Sequence, residues 1–263
     1  MGILNVTPDS FYDGGNYQYE NEILARATEI IDQGATLIDI GGYSSRPGAE
    51  EVTLDEELKR VIPAIKLIIE KYPEALISVD TFRSEVARKS IEAGACMIND
   101  ISAGEMDSKM FSTIRELQVP YCMMHMQETP QNMQQNPTYK NVTEEVFYYL
   151  GEKISELQKL GVNDIIVDPG FGFGKTIEHN YELLRNLSFF TNLNQPILVG
   201  VSRKSMIYKT LGITAQDSLN GTTALHGFAL QQGGNILRVH DVKEAMEVIA
   251  LSKILTFEKK LSN

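Results

Sequence analysis

The sequence has no long hydrophobic segment. In its 263 residues no run approaches the roughly 20 apolar residues that a helix needs to cross a bilayer. The first residues turn polar at Asn5, too early for the apolar core of a secretion signal. We therefore expect a cytoplasmic protein that is not exported.

Cysteine and histidine are scarce as well. Cys96 and Cys122 each lie inside an apolar run, which favours buried, reduced thiols over a disulfide or a metal pair. The four histidines show neither an HExxH motif nor the Cys/His spacing of a zinc site. Any metal is therefore expected to be a hard cation with oxygen ligands.

Basic residues are in deficit. The chain has 24 Lys and Arg against 35 Asp and Glu, a net charge of −11. Nucleic acids and anionic membranes bind to basic surfaces, so this charge argues against both as partners. An anionic small-molecule substrate would need a local basic pocket.

The hydrophobic residues, 43% of the chain, form short β-rich runs that alternate with longer segments of helical period. The eight runs are 2–6, 36–40, 75–79, 96–99, 121–125, 164–168, 196–200 and 235–239. Eight strand–helix units of about 30 residues would use the whole chain and leave no linker. The pattern predicts an α/β protein, a (β/α)8 TIM barrel, with one domain over residues 1–263.

Nearly every run ends in a polar or charged residue. These residues are Asn5, Asp39, Asp80, Asn99, His125, Asp168, Lys204, Arg238 and His240. In a TIM barrel the carboxyl ends of the strands converge on one mouth, where active sites are built. A single polar residue at the end of a strand is about as often the cap of the following helix as it is a functional residue. Polar ends on eight strands together predict a site at the mouth.

Glycine-rich segments supply further signals. In PGFGFGKT (169–176) Gly170 precedes Gly174 by four positions where a Walker loop requires five, and Lys175 occupies the third glycine position of a GxGxxG motif, so we discard both motifs. Glycine-rich loops follow the first, second and sixth predicted strands, and the first two of these loops carry Phe11 and Arg46. An aromatic ring and a cation in such loops indicate segments that close over a ligand.

The motifs as a set resemble one known family. MGILNVTPDSF (1–11) and IDIGGYSSRPGAEEV (38–52) resemble the two signatures of the dihydropteroate synthases, and SVDTFR, MINDIS, CMMHMQ, DPGFGFGK, GVSRK and LRVHD follow in the family's order. The resemblance covers essentially the whole chain. It implies a transferase of folate synthesis that joins 6-hydroxymethyl-7,8-dihydropterin diphosphate to p-aminobenzoate, uses Mg²⁺ and is the target of sulfonamide inhibitors.

Site residues follow from the resemblance position by position. Those implied for the pterin pocket are Asp80, Asn99, Met124, Asp168, Phe173, Gly200 and Lys204. Those implied for the diphosphate end are Arg238, His240 and Asn5, with Asn5 as the Mg²⁺ ligand. Those implied for the p-aminobenzoate side and its closing loops are Phe11, Ser45, Arg46, Pro47, Ser202 and Arg203. The residues assigned to catalysis are Asp80, Lys204, Arg238, His240 and Arg46.

The resemblance also implies a mechanism and an assembly. An SN1-like displacement is expected, in which Arg238, His240 and Mg²⁺ neutralise the departing diphosphate while Asp80 stabilises the developing cation or only binds the ring. A homodimer is expected too, with the apolar stripes of 222–233 and 244–255 as a candidate interface.

Two features depart from the family pattern. The chain begins at the first signature, which implies a natural N terminus upstream of Met1. Tyr43 and Ser45 replace the Glu or Val and the Thr that are common in the second signature, which leaves the role of Tyr43 open.

Three other functions remain open on the sequence alone. A pterin-binding methyltransferase would share the barrel and the acids but needs no diphosphate clamp. A non-catalytic pterin-binding homologue would lose the loop motifs, and a barrel aldolase would use Lys204 as a Schiff-base lysine. Arg46, Arg238 and His240, together with the two signatures, favour the synthase.

Overall fold

A computed structural model describes residues 1–6, 15–43, 52–128, 133 and 137–256, without the side chains of 15–19 and 256. Its strands are Gly2–Asn5 (β1), Ile38–Gly41 (β2), Ile77–Asp80 (β3), Met97–Asp100 (β4), Tyr121–Met124 (β5), Ile165–Asp168 (β6), Leu198–Val199 (β7) and Ile236–Leu237 (β8). Each of the eight predicted runs contains a strand, and β7 and β8 are shorter than the sequence pattern indicates.

Helices separate the strands along the chain. They are Gly15–Asp32 (α1), Leu54–Lys71 (α2), Ser84–Glu92 (α3), Met110–Leu117 (α4), Val142–Lys159 (α5), Ile177–Arg185 (α6), Ser205–Leu211 (α7), Leu219–Gln231 (α8) and Val242–Thr256 (α9). Short 3-10 segments lie at Leu187–Leu193 and Gln216–Ser218. None of the described helices is both long enough and apolar enough to cross a membrane.

Local sequence explains where the longer helices begin. The Thr53 side chain caps α2 by accepting a hydrogen bond from the N–H of Glu56. Three acidic residues in the first turn also interact favourably with the positive end of the helix dipole. Asn141 caps α5 in the same way, and Thr176 with His179 forms a capping box at the start of α6.

The strands close into a barrel. β1 to β6 form a parallel sheet in sequence order, and β7 pairs with β8. Parallel bridges join Val167 to Ile197 and Gly2 to Val239, which connect the two sheets on both sides. The N–H of Ile3 donates to the carbonyl of Val239, and the N–H of Val239 donates to the carbonyl of Met1, both at 2.9 Å. The predicted single-domain TIM barrel is therefore confirmed.

Among the described residues the hydrophobic core has three parts. The largest lies between the strands and the surrounding helices, where residues such as Ile40, Ile65 and Val79 are fully buried. A small cluster inside the barrel includes Cys122, which is fully buried, with half-buried Cys96 beside it; both are free thiols, as predicted. The third cluster lines the mouth and consists of Phe82, Ile101, Met124, Met126 and Met133, with Tyr43 and Phe173 packed against it.

Candidate active site at the barrel mouth

Side chains from four strands meet in one charged network centred on Arg238. Its Nε donates to Asp39 Oδ2 at 2.6 Å, and its Nη2 donates to Asp80 Oδ2 at 2.8 Å. Asp39 Oδ2 also accepts a hydrogen bond from Asn99 Nδ2 at 3.1 Å. The network thus joins the carboxyl ends of β8, β2, β3 and β4.

Strand register sets these positions. Gly41 of β2 is level with Asp80 of β3, which is level with Asn99 of β4, so Asp39 lies two residues deeper in the barrel. Gly41 keeps the space beside them open. A Cβ there would lie 3.5 Å from Asn5 Oδ1 and 3.8 Å from Asp80 Oδ2. Asn5 and Asp80 therefore border the same space at the mouth.

Burial dominates the electrostatics of the network. The Asp39 side chain is fully buried, and those of Asp80 and Arg238 are 17% and 22% exposed. Burial raises the pKa of Asp80 to about 7, although Arg238 acts in the opposite direction. Burial alone would lower the pKa of Arg238, but the two carboxylates raise it above its ordinary value, so it stays protonated.

A second polar group lies around Asp168 and Lys204. The Lys204 ammonium donates to the carbonyl of Phe171 and sits 4.7 Å from the centroid of the Phe173 ring. Gly200 again leaves room, because a Cβ there would lie 3.7 Å from Lys204 Nζ and 4.0 Å from Asp168 Oδ2. A carboxylate, an ammonium and an aromatic ring thus border one open space.

Burial also shifts the pKa values of this second group. It raises the pKa of Asp168, against the effect of the Lys204 charge, and it lowers the pKa of Lys204 to about 8. Asp168 Oδ1 accepts the N–H of Gly170 at 2.7 Å, which fixes the carboxylate. Together with the apolar wall that contains Met124, these groups suit a flat ligand with a polar edge.

The role of His240 at the diphosphate stays a prediction, and the structure shows what surrounds its ring. Burial and the nearby Arg238 lower the pKa of His240 to about 4, so the ring is neutral at pH 7. Its Nδ1 lies 3.1 Å from Ser202 Oγ, which also accepts the backbone N–H of His240. Ser202 and His240 therefore form a neutral hydrogen-bonding pair, and Arg238 carries the positive charge.

Arg203 points away from this network. Its Nε and Nη2 each donate to an Asp241 carboxylate oxygen at 2.8 Å, and its Nη1 donates to the carbonyl of Ala215 at 3.0 Å. The structure thus joins Ser202 to His240 but ties Arg203 to the start of α9. The assignment of Arg203 to the p-aminobenzoate side stays a prediction.

Four assigned residues, Phe11, Ser45, Arg46 and Pro47, lie outside the described residues. Their roles stay predictions too.

Two residues that the site assignment did not include are prominent in the structure. Asp39 joins Arg238 to Asn99, and its place among the polar strand ends was the available signal, although no role followed from it. Lys175 is buried behind Phe173. It was visible in PGFGFGKT, but only as the residue that broke a glycine motif.

The described residues do not form a preassembled metal cage. No group of three or more His, Cys, Asp or Glu among them could hold a metal ion. Asn5 offers one amide oxygen at the open space next to Gly41. This donor set fits Mg²⁺, which commonly takes one or two protein oxygens and completes its shell with substrate phosphates and water.

Comparison with known proteins gives a consistent picture. The family model for pterin binding enzymes matches residues 1–240. The dihydropteroate synthase of Escherichia coli K12 is 46% identical over 251 residues, which cover 95% of this chain and 88% of that protein.

Two solved structures are similar as well. The Yersinia pestis dihydropteroate synthase in a sulfonamide complex has a TM-score of 0.89 and 41% identity, covering 97% of this chain and 92% of that one. The Xanthomonas albilineans dihydropteroate synthase with 4-aminobenzoic acid has a TM-score of 0.90 and 38% identity, covering 98% and 93%.

Because the pKa of Asp80 is raised, we predict that replacing its carboxylate with a neutral amide increases the free energy of unfolding, and more so at high pH. Because the folded pKa, about 7, lies above the ordinary 3.8, the folded state favours the neutral acid, and the cost of its charge grows as the pH rises from 3.8 to 7. We expect Asp80→Asn to raise the free energy of unfolding by about 1–3 kcal/mol near pH 8, and by much less near pH 5.

Urea denaturation at the two pH values measures this difference. Asp164→Asn is the matched control, because Asp164 is exposed at the opposite end of β6 and its substitution should change little at either pH. An Asp80→Asn variant that lost stability near pH 8 would show that the Asp80 charge stabilises the fold.

Proposed function

The chain belongs to the pterin-binding enzyme family, among the dihydropteroate synthases, and we propose that it performs their reaction with the groups gathered around Arg238 and Lys204. This reaction transfers 6-hydroxymethyl-7,8-dihydropterin from its diphosphate to the amine of p-aminobenzoate, a step of folate synthesis. The observation that carries the residue assignment is the convergence of Arg238, Asp80 and Asn99 at one mouth.

The buried polar groups bind the pterin ring through hydrogen bonds. A pterin presents a 2-amino-4-oxo edge and ring N–H donors, so carboxylates and an amide can match its hydrogen-bond pattern. Asp168 supplies the fixed carboxylate, Lys204 supplies the ammonium, and Asn99 supplies the amide. Met124 and Phe173 provide apolar contact to the ring faces, and Gly200 leaves the room that the ring requires.

Arg238 serves the diphosphate end. Asp39 and Asp80 hold its guanidinium in place before any ligand arrives, so the cation needs little reorganisation when charge develops on the leaving group. Ser202 and His240 contribute neutral hydrogen bonds to the same side. The cation that attracts the diphosphate thus depends on Asp39, deeper in the barrel, and on Asp80 at the mouth.

The displacement itself is SN1-like. The bond between the exocyclic carbon of the pterin and the diphosphate oxygen breaks, and the diphosphate leaves with the electron pair. The amine nitrogen of p-aminobenzoate then bonds to that carbon and loses a proton. The carboxylate of Asp80, in its ionised form, would stabilise the cation that develops on the ring.

A magnesium ion is part of the proposal. Asn5 Oδ1 would hold it beside the diphosphate, and when bound it supplies charge neutralisation for the leaving group.

Sulfonamides, which the Yersinia pestis relative binds, would occupy the p-aminobenzoate side.

An activity assay tests the proposed function. Purified protein with the pterin diphosphate, labelled p-aminobenzoate and Mg²⁺ should release labelled dihydropteroate.

Asp168→Asn should abolish detectable pterin binding, because it removes the charge that pairs with the ring donors while keeping an oxygen for the N–H of Gly170.

Asp164→Asn is again the matched control, since it removes a carboxylate from the exposed end of the same strand and should bind pterin normally. Absence of labelled product from well-folded wild-type protein would reject the proposal. Unchanged pterin affinity of Asp168→Asn in calorimetry would remove Asp168 from the site.

We also propose that the chain forms a homodimer through α8 and α9. Their outer faces expose large apolar side chains: Phe228 is 38% exposed, Leu251 64%, Ile254 73% and Leu255 76%. A shallow groove between the two helices is lined by Ala224, Gly227 and Phe228 together with Leu255. Contiguous apolar surface of this kind is typical of protein interfaces.

Light scattering tests the dimer. At micromolar concentration the wild type should have about twice the 29.4 kDa mass of one chain, and Leu255→Asp should shift it to the monomer because a charge in the groove between α8 and α9 would be desolvated. Leu76→Asp is the control, since Leu76 is 48% exposed and lies before β3, outside α8 and α9. A monomeric wild type would contradict the proposal.

A further inference from the structure

Lys175 is a buried cation that the proposed chemistry does not use. Its side chain is 3% exposed, although no ligand role is assigned to it. Its Nζ lies 3.0 Å from His125 Nδ1, 3.3 Å from the carbonyl of His125 and 3.0 Å from the carbonyl of Phe173. The ammonium therefore bridges the end of β5 and the loop that follows β6.

Burial of this group is unfavourable. It lowers the pKa of Lys175 to about 7, with the Asp168 charge acting in the opposite direction. An apolar side chain of similar length would fill the same space without the desolvation of a charge. What Lys175 offers over an apolar side chain is therefore the hydrogen bonds of its terminal nitrogen and not the space that it fills.

The loop that Lys175 holds lies directly against β5. Gly170 has φ +74°, and a Cβ there would lie 1.9 Å from the carbonyl oxygen of His125, so only glycine fits. From the other side, the N–H of Gly172 donates to Asn180 Oδ1 at 2.6 Å. The loop is thus fixed between β5 and α6, and the Lys175 side chain bonds the loop to His125.

Two groups on this loop contact Lys204. The carbonyl of Phe171 accepts a hydrogen bond from the Lys204 ammonium, and the Phe173 ring lies under that ammonium. Lys175 bonds the carbonyl of Phe173 itself. A change in the position of this carbonyl would therefore shift the Phe173 ring and strain the segment 171–173, which carries both contacts of Lys204.

We propose that Lys175 is a positioning residue for pterin recognition, which fixes the Phe171 carbonyl and the Phe173 ring and through them aims the Lys204 ammonium at the ligand. The inference rests on the proposed function, because it takes Lys204 and Phe173 as part of the pterin pocket. Lys175 itself does not touch the ligand.

Binding of 6-hydroxymethyl-7,8-dihydropterin diphosphate to a set of variants tests this role. Lys175→Met should weaken the binding by at least about tenfold, a typical effect of losing groups that orient a binding side chain. Lys71→Met is the control, because Lys71 also lies over an aromatic ring, that of Tyr72, but at the C-terminal end of α2, where it bonds Thr28. Its affinity should stay within about twofold of the wild type.

A double-mutant cycle separates positioning from a general loss of stability. If Lys175 acts through Lys204, adding Lys175→Met to Lys204→Met should weaken binding by far less than it does in the wild type. Leu150→Ala provides a variant with a lower melting temperature and an unchanged pocket, since Leu150 is buried in α5. Lys175→Gln, which keeps N–H donors, replaces Lys175→Met in the cycle if the latter does not fold.

The outcomes distinguish this inference from the proposed function. A wild-type protein that does not bind the pterin diphosphate would reject the function. A wild type that binds it, combined with Lys175 variants that bind equally well, would overturn only the positioning role. An equal loss in the wild-type and Lys204→Met backgrounds would overturn it too, because the effect would then not pass through Lys204.

Discussion

The ion pair between Arg238 and Asp39 is the interaction on which this active site depends. It connects residues 199 positions apart in the sequence, and Asp39 is fully buried, so the carboxylate has to keep a cationic partner. The same guanidinium reaches Asp80, and the same carboxylate orients Asn99. Closure of the barrel between β8 and β1 brings these groups together. The site therefore forms only when the barrel closes.

This arrangement places several groups outside their usual protonation ranges. Burial raises the pKa of Asp80 and lowers those of Lys204 and Lys175, so keeping these groups charged at the mouth costs free energy. The large apolar core between strands and helices offsets that cost. A ligand with complementary charge and hydrogen-bonding groups would relieve part of it.

The sequence predicted the barrel because the alternation of short β-rich runs and helical segments is a local property. It also predicted which strand ends carry polar groups, since that follows from where each run stops. It did not reveal the depth of Asp39, the neutral state of His240 or the pairing of Arg203 with Asp241. These depend on register across the barrel, on burial and on side-chain direction, none of which a single run of residues encodes. Lys175 was overlooked because its partner His125 belongs to a different loop.

A double-mutant cycle on binding of the pterin diphosphate tests the central role of the Arg238–Asp39 pair most directly. The variants are Asp39→Asn, Arg238→Met and the double variant, with affinities measured by calorimetry. Each single substitution should cost about 2–5 kcal/mol of binding free energy, and the double variant should lose little more than the worse single variant, because each residue acts through the other. Additive losses would contradict this account, since they would mean that the two residues serve the ligand independently.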